Sequence, residues 1–143
     1  ERLGWEPASV DGLVFVTQTP DHLLPSTSCI LHAKLGLSDR CATFDVGLGC
    51  SGYPYGLWLG HMMVASGLSR VLVLHGETPS KFTHESDRAT YLLFGDAGSA
   101  TALERAAGED AVAHFVLHTD GTGMNDLVIH AGGPKALHGP LGM

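Results

Sequence analysis

The sequence predicts an α/β fold with a mainly parallel sheet, and three observations carry that reading. Short apolar runs with β-branched residues recur at Leu13–Val16, Ala42–Val46 and Val71–Leu74. Two segments with helical signals, residues 25–36 and 52–67, alternate with those runs. Turn-forming residues mark the junctions: Asp11-Gly12 before the first run, Thr19-Pro20 after it, and Gly76-Glu77 after the third.

The first run is too short for a helix and fits a buried strand. After Pro20-Asp21-His22, Pro25-Ser26-Thr27 opens a helix of about three turns, with proline near the start, where a missing N–H costs nothing. Ile30, Leu31, Lys34 and Leu35 fall at helical spacing, and Gly36 closes the segment. The second strand runs into Gly47-Leu48-Gly49-Cys50-Ser51-Gly52. The helix that follows is apolar on every side except His61, which predicts burial all round. Gly52, Gly56 and Gly60 lie at i, i+4 and i+8, a smooth stripe along which another backbone can approach. Each costs about 1 kcal/mol of helix propensity against Ala, so close packing should offset it.

Beyond the third strand, polar residues 78–88 precede Tyr91-Leu92-Leu93-Phe94, and Gly95-Asp96-Ala97-Gly98 precedes Ser99–Leu103. Two successive strands around a turn fit that pattern. Residues 106–110 read as a loop, Val112–His118 as a further strand, and Thr119–Gly123 as a glycine-rich turn; residues 132–143 show no periodicity.

The chain has 143 residues, 44% hydrophobic and 16% charged, the balance of a globular domain and not of a disordered tail. Eight Lys and Arg against fifteen Asp and Glu give a net charge of −7 with no basic patch, which excludes nucleic acid as a partner. No apolar run reaches the roughly 18 residues needed to span a bilayer, because Gly60 and His61 interrupt Tyr53–Gly67. The membrane is set aside with it. Cys29, Cys41 and Cys50 form no C-x-x-C, and His84-Glu85 is followed by Arg88 where a zinc helix needs its second His. No metal or disulfide framework is expected, and Cys29 and Cys41 read as buried, inert thiols. The opening Glu1-Arg2-Leu3-Gly4-Trp5 has no Met, so its first residue reads as the middle of a helix, and Leu141-Gly142-Met143 carries no cap; residues 1–143 read as part of a longer chain.

The glycine loop admits three readings. Residues 47–52 match G-x-G-x-x-G between a strand and a helix, with Glu77 ending the next strand, as in a dinucleotide fingerprint. Against it, Glu77 lies 25 residues past Gly52, and Tyr53 and Pro54 crowd the helix start. Alternatively, Cys50 is a nucleophile: a thiol beside the unsatisfied N–H groups of a helix start is favoured as thiolate. Flanking glycines would admit a substrate carbonyl, and the Cys50 N–H could act as an oxyanion donor. A buried cysteine in a glycine-rich turn is the third.

Phe44-Asp45-Val46 running into Gly49-Cys50-Ser51-Gly52-Tyr53 and Tyr55 resembles the nucleophile segment of the β-ketoacyl-acyl carrier protein synthase III family, in the thiolase superfamily. Further matches follow in order: Thr19-Pro20-Asp21 with Leu24-Pro25-Ser26-Thr27, Asp87-Arg88 with Phe94-Gly95-Asp96, His118-Thr119-Asp120-Gly121, and Ala131-Gly132-Gly133. The resemblance implies thiolase-like αβαβα layers, of which this chain is mostly the N-terminal, nucleophile-bearing half. It implies a cytoplasmic, homodimeric acyltransferase that takes acyl-CoA as substrate and needs no resident cofactor.

By that resemblance Cys50 is acylated by acyl-CoA, and the acyl group passes to malonyl-acyl carrier protein or another acceptor. Arg88 would contact CoA, Phe94 and Pro79 would help line the acyl pocket, and Leu24 would reach across the dimer interface. Departures from the family pattern fall at Gly47-Leu48-Gly49, where Ala-rich residues are usual, and at Pro54. The family's catalytic His and Asn belong to the second half of the fold; nothing after His118 matches them, His130 and His138 lie in other contexts, and His118 reads as a turn residue. A non-catalytic, synthase-like partner subunit is the alternative from another functional class.

Overall fold

The structure, a computed structural model, describes residues 3–106 and 113–129. Six regular elements follow one another: β1 (Gly12–Val16), α1 (Thr27–Leu35), β2 (Ala42–Val46), α2 (Gly52–Ala65), β3 (Arg70–Glu77) and β4 (Ala97–Glu104). The sheet order is β2-β1-β3-β4. β1 pairs in parallel with both β2 and β3, and β4 adds in antiparallel register to β3. The expected alternation of strand and helix is therefore present.

Alternation along β1 divides the core into two faces. Val14 and Val16 join Val71 and Val73 on one face, under Leu59, Met63 and Val64 of α2. Leu13 points the other way, to Val10 and Cys41, where Leu31 of α1 packs. The result is three layers, helix on sheet on helix. Leu13, Val14, Val71 and Val73 are completely buried, each removal from water being worth roughly 1.5–3 kcal/mol.

The glycine stripe explains how α2 sits so low. A Cβ on Gly52 would lie 2.5 Å from Val16 Cγ1, and one on Gly56 2.9 Å from Val73 Cγ1. On Gly60 it would meet Leu103 Cδ1 of β4. The stripe thus lets one helix contact three strands. Burial is one-sided, however: Gly52, Gly56 and Gly60 are the buried residues of α2, while Tyr53 and Met62 are exposed. The sheet covers only the glycine face, so the expectation of burial all round fails among the described residues.

Helix α1 ends as its residues predict, with Gly36 in the left-handed region at φ 64°, but it begins at Thr27, so Pro25 precedes the Ser26 cap and lies outside the helix. Its N-terminal capping comes from elsewhere in the chain: Asp45 of β2 accepts the N–H groups of Thr27 and Ser28, both at 2.7 Å. Ser26, at the N-cap position, makes no side-chain cap bond.

Other expectations are corrected as well. Tyr91–Phe94 is not a strand: the N–H groups of Tyr91 and Phe94 turn back to the carbonyls of Asp87 and Thr90 at 2.9 and 3.1 Å, which uses up the bonds a ladder needs. Strand β4 instead starts at Ala97, inside the expected turn. Residues 113–118 carry no regular structure, with Val112 outside the described residues. Glu1, expected inside a helix, lies outside the described residues. Cys41 is buried as expected, but Cys29 is exposed on the first turn of α1, whose buried face belongs to Thr27 and Ser28. Residues 107–110, Ala131-Gly132-Gly133, His130, His138 and the tail fall outside the described residues.

Candidate active site

Parallel strands place the loops that follow them along one sheet edge, the edge where α/β proteins bind ligands. Three of the singled-out residues follow the C-terminal ends of β1, β2 and β3: Leu24, Cys50 and Pro79. Arg88 and Phe94 lie on the connection from β3 to β4, which starts and finishes at that edge because β4 is antiparallel. Topology thus places all five on connections that begin or end at that edge.

Cys50 is exposed and stands two residues before α2 begins. Its turn is closed by the Gly52 N–H donating to the Gly49 carbonyl at 2.7 Å. The backbone N–H of Cys50 makes no hydrogen bond within the described residues, which leaves a donor beside the thiol. Three residues on, the Tyr53 hydroxyl lies 3.3 Å from Thr101 Oγ1, and its ring centroid is 5.0 Å from that of His75. Both His75 ring nitrogens are buried without a partner among the described residues.

The neighbouring loop after β1 is held by Glu77. Its carboxylate accepts the Gln18 N–H at 2.7 Å and the Thr19 hydroxyl at 3.1 Å. Thr19 Oγ1 in turn accepts the Thr78 N–H at 2.9 Å. This is the acid that the dinucleotide reading would turn toward a ribose; here it is committed to the Gln18 N–H and the Thr19 hydroxyl. The topology disagrees with that reading as well. The strand before the glycine loop, β2, lies at an edge of the described sheet and is separated from β3 by β1, whereas a nucleotide-binding βαβ unit sets its two strands side by side.

Pro79 opens a single 3-10 turn, Pro79–Lys81, and is half-buried. Ser80 ties that turn to the start of β4, its N–H and hydroxyl donating to Asp96 at 3.0 and 2.7 Å. The Ser80 hydroxyl, then its N–H, and the nearby Lys81 hold the Asp96 carboxyl below its ordinary range. Asp87 does the same work one turn later, accepting the Thr90 hydroxyl and the Ala89 N–H, and those bonds lower it too. Arg88 projects from this braced turn as an exposed side chain. Leu24 is 88% exposed, and Phe94 37%. His118 is exposed just before a turn in which Asp120 accepts the Thr122 hydroxyl and N–H. The adjacent Thr119 hydroxyl lies 3.5 Å from that of Tyr55 on α2.

Sequence reasoning passed over the supporting residues. Asp45, a carboxylate inside an apolar strand, was a readable sign of a specific partner. Gln18, polar at the end of a buried strand, was another.

A mainly parallel α/β sheet covered by helices on both faces, with a glycine turn leading from β2 into a helix laid close on the sheet, is the architecture of a thiolase-like fold. A model of the 3-oxoacyl-[acyl-carrier-protein] synthase III family matches residues 44–121, and the chain belongs to that family. A β-ketoacyl-[acyl-carrier-protein] synthase III from Caldanaerobacter subterraneus is 40% identical over 136 residues, 94% of this chain and 41% of the relative. One from Porphyromonas gingivalis is 38% identical over 134 residues, 93% of this chain and 40% of the relative. The crystal structure of a 3-oxoacyl-(acyl-carrier protein) synthase from Burkholderia xenovorans superposes with a TM-score of 0.88 at 49% identity, over 92% of this chain and 38% of that one. The chain spans about two fifths of the length of the curated relatives it matches.

Proposed function

We propose that this chain carries the nucleophile of a synthase III-type acyltransferase. The single observation behind the reading is the placement of Cys50, exposed on the glycine turn at the C-terminal edge of the parallel sheet and inside the family match. The Cys50 thiolate attacks the carbonyl carbon of an acyl-CoA thioester. The C–S bond to CoA breaks, CoA leaves as thiolate and takes a proton, and the acyl group stays on Cys50 Sγ. The free N–H of Cys50 supplies one oxyanion donor. The acyl group then condenses with malonyl-acyl carrier protein as carbon dioxide leaves, or transfers to another acceptor.

In this account the Arg88 guanidinium contacts CoA, and Pro79 and Phe94 line the acyl pocket. Leu24, on a loop that leaves it almost fully exposed, reaches the pocket of a second copy. The protein acts as a homodimer in this reading. A catalytic His and Asn come from the rest of the fold. CoA enters as substrate, no resident cofactor is required, and the enzyme works in the cytoplasm. Among the described residues no helix is long and apolar enough to cross a membrane.

The test is acyl transfer by the full-length protein. Cys50→Ala should abolish it, whereas normal transfer by that variant would make the chain a non-catalytic partner subunit.

A further inference from the structure

We propose that Gln18 is a positioning residue for Cys50, an inference that rests on Cys50 being the acylated group. The backbone around Gln18 is fixed from both flanking strands. Thr17 is buried and donates its N–H to the Val46 carbonyl at 3.0 Å, the last residue of β2. Gln18 itself donates its N–H to Glu77 at 2.7 Å, at the end of β3. From this anchored backbone the side-chain amide reaches over the Cys50 turn and fills the space above Gly49. A Cβ on Gly49 would meet Gln18 Oε1 and lie 2.9 Å from its Cδ. The need for glycine is that contact and not the backbone conformation, because Gly49 is not among the residues with positive φ. Gly49 also accepts the bond that closes the turn before α2, from Gly52 at 2.7 Å. The amide thus lies against the turn whose closing bond runs from Gly52 to Gly49, and Cys50 sits within that turn.

Nucleophilic attack depends on placing Sγ within a near-attack distance, and an error of about 1 Å can cost on the order of 100-fold. A loosened turn should thus slow acylation without changing how tightly acyl-CoA binds. The contact also makes a reciprocal prediction. Gln18→Ala removes the amide and Gly49→Ala evicts it, so the two changes destroy the same interaction and should not add.

The experiment compares full-length wild type, Gln18→Ala, Gly49→Ala and the double variant in single-turnover acylation, with acetyl-, hexanoyl- and decanoyl-CoA as probes. Each single change should slow acylation about tenfold with the half-saturating acyl-CoA concentration unchanged, and the double should be no slower than the worse single. Rates within twofold of wild type in both single variants, or losses that multiply in the double, would overturn the proposal. Iodoacetamide labelling gives a readout independent of acyl chemistry: Cys50 should label about threefold faster in Gln18→Ala while Cys41 stays protected, which reports an intact core. Unchanged Cys50 labelling would also overturn it. Wild type acylated elsewhere than Cys50 would sink the underlying reading instead, and the labelling result would still decide whether Gln18 holds the turn.

Discussion

The carboxylate of Asp45, on β2, accepts the backbone N–H of Thr27 at 2.7 Å and so caps a helix 18 residues earlier in the chain. A second oxygen takes the Ser28 N–H at the same distance. One side chain thereby ties the strand leading to Cys50 to the helix that follows the Leu24 loop. Charge-assisted bonds to a helix start are worth more than neutral ones. Asp45→Ala should destabilise the full-length protein by about 2 kcal/mol, and Asp45→Asn by less, because the amide oxygen still accepts one bond. Urea denaturation midpoints check this, with equal stability of all three proteins as the contrary result.

The glycine stripe sets a contrast between positions. Gly60→Ala puts a methyl group into Leu103 and 2.9 Å from Val73 Cγ2, in the packed interior. Overpacking of that kind costs about 1–3 kcal/mol, more than the roughly 1 kcal/mol of helix propensity gained. Gly47→Ala meets nothing within 4 Å. Thermal melting should fall for Gly60→Ala and hold for Gly47→Ala.

The three thiols should differ in reactivity. Burial, and next the Asp11 carboxylate, push the Cys41 thiol up, away from thiolate, whereas Cys29 and Cys50 are exposed. Iodoacetamide at neutral pH should modify Cys29 and Cys50 in native protein and reach Cys41 only after unfolding, as read by peptide mass spectrometry. Early labelling of Cys41 would contradict its packing with Val10 and Leu13 under Leu31 of α1.

The two aspartate braces beside Arg88 should be insensitive to mild acid. Asp87 and Asp96 are held below the ordinary carboxylate range by the Thr90 and Ser80 hydroxyls and by backbone N–H groups. A group lowered in the folded state contributes fully above its unfolded pKa, near 3.9 for Asp, and the contribution is lost as pH falls through the lower folded value. The amide resonances of Ser80 and Ala89 should therefore stay fixed from about pH 8 to pH 5 and move only below about pH 4. Movement near pH 6 would mean that another group braces the loop.

Periodicity and turn residues made the parallel sheet and both helices legible, because those signals are local: Gly36 ends α1, and the β-branched runs fill the core. The glycine turn between β2 and α2 that carries Cys50 was legible from its local G-x-G-x-x-G spacing. Tyr91–Phe94 misled because an apolar run of four residues does not say whether its N–H groups will pair across a ladder or back to Asp87 and Thr90. The bracing of the site was hidden for a related reason. Glu77 meets Gln18 across 59 residues of sequence, and Asp45 meets Thr27 across 18, contacts created by the sheet and not by any local spacing. The one-sided burial of α2 escaped because uniform apolarity along a helix does not reveal which elements cover it.

The most direct test of the account incubates full-length protein with acyl-CoA and maps the product by peptide mass spectrometry. The prediction is one acyl group per chain on Cys50, removable by hydroxylamine as a thioester should be, and absent from Cys29 and Cys41. Acylation at another residue, or none with any acyl-CoA, would contradict it.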